Sequence, residues 1–139
     1  MKTIFTFVCA ITLFTACEKS GNGTLEGRWK LTFCHNLTSG VNEPEPANIA
    51  RSIILNFSDD GSNGRITGHT VTNTVTGDYQ LPGNNKITIT GFGGTKVGEP
   101  DWGRKFWLAM QSVHRYQRNN RKLTLFFNTN TESMEFDLQ

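Results

Sequence analysis

The chain has 139 residues, with 14 Lys and Arg against 12 Asp and Glu, for a formal net charge of +2. That length suits about one domain, and so small a charge argues against nucleic acid, or an anionic membrane surface, as a partner held by electrostatics. The 10 Phe and 3 Trp supply the large apolar surface that a disordered chain lacks.

Residues 1–16 read as a targeting segment. Lys2 gives a positive start, and Ile4–Phe14 is an apolar run shorter than the roughly 20 residues that span a bilayer as a helix. The run closes on Phe14-Thr15-Ala16-Cys17. Small residues before a cysteine resemble the lipobox of bacterial lipoproteins. The resemblance implies cleavage after Ala16 and a lipidated Cys17, whose several acyl chains anchor the protein in a membrane. An ordinary secretory signal, or an uncleaved helix with Cys17 a plain thiol, are the other readings of this run. Residues 17–23 would then be the lipidated cysteine and a flexible polar tether, ahead of a domain over 24–139. Glu18 after Cys17 is compatible with sorting to the outer membrane. Cys9 leaves with the signal and Cys17 is taken by lipid, so only Cys34 remains and no intramolecular disulfide is available.

Leu25–Phe33 alternates Trp29, Leu31 and Phe33 with Lys30 and Thr32, the period of a half-buried strand. Cys34–Asn48, broken by Pro44 and Pro46, is expected to be a surface loop. Its Glu43 and Glu45 lack the desolvation that separates the pKa values of a catalytic carboxylate pair. Cys34 and His35 are neighbours, so on a strand they face opposite ways, and two ligands do not make a zinc site. Arg51–Phe57 is a second strand with Ile53, Leu55 and Phe57 on one face. Ser58–Gly64 is turn chemistry and not a calcium loop, because no bidentate Glu follows at the required distance.

Gly64–Val71 and Val75–Leu81 form a strand pair, in which Gly68 and Gly77 mark a bulge, a bend or close backbone approach. Pro82–Asn85 is a tight turn and Lys86–Thr90 another alternating strand. Gly91–Gly98 lacks the GK[ST] ending of a phosphate loop and reads as a mobile connector. Glu99–Val113 is the one helix, with Pro100 at its first position and Glu99 and Asp101 at its positive end. Trp102, Phe106, Ala109, Met110 and Val113 make one apolar stripe, and Trp107 lies off it. Arg115–Arg118 and Lys122–Phe127 form a hairpin about Asn119-Asn120-Arg121. The cations Arg115, Arg118, Arg121 and Lys122 are expected to form a solvated edge that blocks sheet association. Asn128–Glu132 turns the chain into a last strand carrying Met134, Phe136 and Leu138.

Phe57–Tyr79, with DDGSNGRITGHTVTNTVTGDY, resembles the pattern of META (HslJ-like) domains in an acidic-glycine turn, then Gly68, then Asn73, then Gly77-x-Tyr79. The order that follows is similar too: KITIT, Thr95, a helix with Phe106, a hairpin ending KLTLFF, and a strand with Met134 and Phe136. The opening LEGRWKL is similar to META and lipocalin-like domains alike. Two cysteines common in META domains are absent. One precedes the asparagine, where this chain has Thr72; the other ends a T-x-M-A-C stretch, where it reads Thr95-Lys96-Val97-Gly98-Glu99. The resemblance implies a fold and an envelope location, and no catalytic residues.

The expected fold is mainly β: a small antiparallel barrel, or strongly curved sheet, of about eight strands with one inserted helix. The expected function is a lipid-anchored envelope domain without a catalytic site, metal or cofactor, attached to membrane through Cys17 and binding an envelope protein or polymer. A second reading is a lipocalin-like carrier whose Trp29, Phe57, Tyr79, Trp102 and Phe106 line a cavity for a small apolar ligand. A third is an enzyme using His35, His69 or His114.

Overall fold

A computed structural model describes residues 23–139; residues 1–16, expected to be a signal segment, and Cys17, expected to carry lipid, lie outside the described residues. Nine strands run in chain order: β1 (Gly27–Asn36), β2 (Val41–Pro44), β3 (Ile54–Asp59), β4 (Asn63–His69), β5 (Thr74–Gly83), β6 (Lys86–Gly94), β7 (Arg115–Asn119), β8 (Lys122–Phe127) and β9 (Glu132–Leu138). Helix α1 (Asp101–Met110) lies between β6 and β7. The sheet order is β2-β1-β3-β4-β5-β6-β7-β8-β9, and β1 also pairs with β9. Eight antiparallel strands therefore close a barrel, while β2 is an extra strand outside it. Along one edge of β1, Gly27–Lys30 pair with β3 and Phe33–Asn36 pair with β2. The other edge of β1 pairs with β9 and closes the ring.

The alternation of side chains builds this barrel directly. Trp29 and Leu31, Leu55 and Phe57, Ile66, Val75, Tyr79 and Leu81, Leu123 and Leu125, and Met134 and Phe136 are all buried. Short turns join consecutive strands except between β2 and β3, where residues 45–53 form a longer loop, and between β6 and β7, where α1 intervenes. Asn84 and Asn85 both have positive φ (53° and 57°), the backbone of a turn whose twist matches a two-residue hairpin. At the β3–β4 turn, Asp60 Oδ1 accepts the N–H of Ser62 (2.9 Å) and Asn63 (2.8 Å), and these bonds hold its carboxyl below the usual range.

Pairing between β6 and β7 is slight. Only Lys86 and Arg115 face each other in register, so from Thr88 onward β6 has no strand on that side. Helix α1 sits by this gap. Its stripe of Trp102, Phe106, Ala109 and Met110 is buried, as is Val113 beyond it, and so plugs one end of the barrel.

Four expectations are corrected. Cys34–Asn48 is not all loop, because Cys34–Asn36 continue β1 and Val41–Pro44 add a strand to it. Gly91–Gly98 is not a free connector, because Gly91–Gly94 pair with Val75–Asp78 of β5. The helix runs Asp101–Met110 and not Glu99–Val113, with Pro100 capping it from outside and its carbonyl accepting Arg104 N–H at 2.9 Å. The basic hairpin is a solvated edge only in part: Arg121 and Lys122 are exposed, but all four cations are engaged with neighbours. Arg115 stacks on Phe126 at 3.6 Å, and Arg118 lies 5.3 Å from the Trp29 ring and donates to Thr24 O. Arg121 donates to Leu138 O at 2.9 Å, and Lys122 bonds Glu135 and Asp137.

Candidate functional site

The motif residues Gly68, Asn73, Gly77 and Tyr79 are all tied to the architecture. Gly68 has φ 155°, and a Cβ there would run into the Ile54 carbonyl oxygen. At Gly77 a Cβ would meet the Gly91 carbonyl oxygen across the β5–β6 pair. Tyr79 donates its hydroxyl to Asp59 Oδ2 at 2.6 Å, and that same oxygen accepts Leu25 N–H at 2.8 Å. Burial and the Asp59 bond raise the phenol well above its ordinary value, so it stays protonated.

Asn73 is buried and forms a polar knot beneath the chain that leads into α1. Its Oδ1 accepts Val97 N–H (2.7 Å) and the Thr95 hydroxyl (2.9 Å). Its Nδ2 faces Val97 O (2.8 Å), Thr72 Oγ1 (3.0 Å) and Glu99 Oε1 (2.7 Å). Glu99 Oε1 also accepts from Thr70 Oγ1, and from Trp107 Nε1 at 3.3 Å. Burial alone would raise the Glu99 carboxyl, but donors from Thr70, Asn73 and Trp107 outweigh it and hold the group below the usual range. Glu99 Oε2 is buried against Gly103, where a Cβ would strike it. Thr72 and Glu99, well separated in sequence, thus meet at the Asn73 amide, a hydroxyl and a carboxylate joined through it by hydrogen bonds.

The five aromatics expected to line a ligand cavity are all in the core: Trp29, Phe57, Tyr79, Trp102 and Phe106 are each 0–2% exposed. Phe57 and Tyr79 pack edge to face at 5.3 Å, and Trp29 Nε1 donates to Leu25 O at 2.8 Å. None of the five lines either of the two main clefts, which lie outside the barrel beside α1.

The wider cleft, about 860 Å³, lies between the end of β1, β2 and the second half of α1. Cys34, His35, Glu43, Lys105 and Leu108 are on its walls. Burial, and then the nearby Glu43 charge, push the Cys34 thiol up to about 12, the wrong direction for a nucleophile. Glu43 binds Lys105 across the cleft and raises its ammonium pKa. The second cleft, about 510 Å³, lies between Phe92–Val97 and the Arg104–Leu108 face of α1. Phe92 and Trp107 stand edge to face at 5.2 Å on its floor, and Leu108 is 68% exposed between the two clefts.

The histidines do not converge. His35 stacks on Phe33 and meets Asn42 Oδ1 at 2.6 Å, while His114 meets Asn130 Oδ1 at 3.1 Å. His69 lies at the end of β4, where burial and the Arg51 charge lower its pKa. Among the described residues no three His, Cys, Asp or Glu side chains are grouped to hold a metal ion.

The META domain model matches residues 23–138. The chain belongs to the META domain family. Solved structures that share its fold include two of low sequence identity. One is the NMR structure of a protein from Burkholderia xenovorans, with 21% identity over 82% of each chain and a TM-score of 0.66. The other is the crystal structure of a DUF4847 family protein from Bacteroides vulgatus, with 18% identity, a TM-score of 0.61, and 81% of this chain and 92% of that one covered. At such identities the likeness is one of fold. No curated protein matches the chain.

Sequence reasoning passed over Glu99, Thr70 and Gly103 of this META domain. Glu99 reads as a helix-end charge, yet its side chain turns back to Asn73. The available signal is Gly103 four residues on, which keeps that face of α1 open for a carboxylate.

Proposed function

We propose that this META domain is a non-catalytic binding module, anchored to the bacterial envelope by lipid on Cys17 and working through the pole that carries α1. The observation that carries this reading is the polarity of the barrel. The chain enters at Thr24 and Leu25, which Arg118 and Asp59 fix beside the β3–β4 turn and the β7–β8 hairpin. The start of β1 faces the end of β3, and the ends of β4 and β6 lie at the other pole with the Asn73 knot and both clefts.

A tether over 18–23 reaches roughly 20 Å even when fully extended. The anchored pole then stays near the lipid headgroups and the clefts point away. The aromatics required by a carrier pack on one another and on the helix, which favours a surface function over an internal cavity. The test is metabolic labelling with an alkyne fatty acid in the host. The parent chain should take the label and sediment with membranes, and Cys17→Ser should lose both properties. A parent chain that takes no lipid overturns the anchor.

A further inference from the structure

The second cleft has an uncommon border. On one side it is walled by α1; on the other runs β6, whose outer edge has no strand partner beyond Lys86. An unpaired strand edge presents a row of main-chain donors and acceptors, which folded proteins usually blunt with charge, proline or a cover. The other free edge, β2, is blunted in this way. It is four residues long, ends in Pro44, and its Glu43 is held by Lys105. Thr88–Gly94 carries neither charge nor proline. A bulge at Thr90 interrupts it, and leaves Gly91–Gly94 as a short regular ledge along the cleft. Thr95 N–H donates to Thr74 O at 3.2 Å. The alternation of an antiparallel ladder then turns the main chain of Gly93 toward β5, and that of Phe92 and Gly94 toward the cleft.

The cleft also provides side-chain contacts for a strand laid on that ledge. Phe92, Trp107 and Leu108 form an apolar shelf. Lys96 stands at the rim and makes no ion pair among the described residues. Arg104 is beside it, exposed and bonded to Asp101. The Glu99 carboxylate also borders the cleft, but its Oε1 is turned to Thr70, Asn73 and Trp107, whose donors carry its charge away from the Lys96 rim.

We propose that the free edge of β6 at Gly91–Gly94 accepts an extended acidic peptide as an added strand, with an apolar side chain on the Phe92–Trp107–Leu108 shelf and a carboxylate at Lys96. Main-chain bonds supply affinity in this mode, and the pockets for alternate side chains supply specificity. The proposal rests on the reading of the α1 pole as the binding pole, and names the partner that pole takes.

The test uses the full chain from its host in mild detergent, immobilised against a display library of random dodecapeptides. Selected peptides should pair alternating apolar residues with an acidic group. Bound, they should slow amide exchange at Phe92 and Gly94. Leu108→Asp and Lys96→Glu alter exposed side chains and leave the fold intact, and each should weaken binding about tenfold or more. Several results overturn the proposal: no enriched peptide, protection confined to Val41–Pro44, unchanged binding by both variants, or β6 amides already protected in a dimer, where a second copy holds the edge. Each of these leaves the lipid on Cys17 untouched, so a failed anchor and a failed peptide site are told apart.

Discussion

Asn73 shows how a motif residue of this chain serves the architecture. Its amide holds Val97 N–H, the Thr95 hydroxyl and Glu99 together. Asn73 is itself buried, and Asn73→Ala removes the hub of these part-buried bonds, so it should lower stability by about 1–3 kcal/mol, measured by urea unfolding. Glu99 adds a pH signature. Its folded carboxyl titrates below the ordinary Glu value of about 4.3, so its contribution is complete above about pH 5 and is lost as pH falls through the lower folded value. The urea midpoint should therefore fall less steeply in acid for Glu99→Gln than for the parent; equal slopes would contradict this. The glycines divide in the same way. Gly68→Ala forces a Cβ against Ile54 O at φ 155° and should cost more than about 2 kcal/mol. Gly98 has open space around it, and Gly98→Ala should stay within about 0.5 kcal/mol. Thermal melts of the pair check both values.

Helix α1 has two faces with different work. Phe106 is fully buried, and Phe106→Ala should cost about 3–5 kcal/mol through the lost burial and the cavity it leaves. Leu108 lies on the opposite side in solvent, and Leu108→Ala should leave the unfolding midpoint within about 0.5 kcal/mol of the parent. The helix stripe was legible because Trp102, Phe106, Ala109 and Met110 follow the helical period. Strands with clean alternation, such as Lys122–Phe127, were legible for the same reason. β2 and the end of β6 were not. Val41–Pro44 carries a proline and little apolar character, and Gly91–Gly94 is mostly glycine, so both are strands through pairing with a neighbour and not through their own residues. The ends of α1 were overrun because Glu99 and Val113 fit the pattern while their side chains serve the knot and the core.

At the scale of the molecule, the barrel class could be read from strand spacing, but its closure could not. The β1–β9 ladder joins residues more than 100 apart in sequence, such as Trp29 and Leu138, and no local signal encodes it. The clefts were hidden for the same reason, since each is assembled from the helix and a strand distant in the chain. The basic hairpin misled because charge alone does not show that Arg118 would fold back onto Trp29 and Thr24. What emerges is a two-ended barrel, with Thr24 and Leu25 leading the chain in at one pole and the clefts at the other. Photo-crosslinking in living cells tests this polarity most directly, with a photoreactive residue placed at Leu108 in one strain and at Asn120 of the β7–β8 turn in another. Adducts to an envelope component from Leu108 and none from Asn120 are the predicted result. Adducts from Asn120 with none from Leu108 would contradict it and move the working surface to the pole where Thr24 and Leu25 lie.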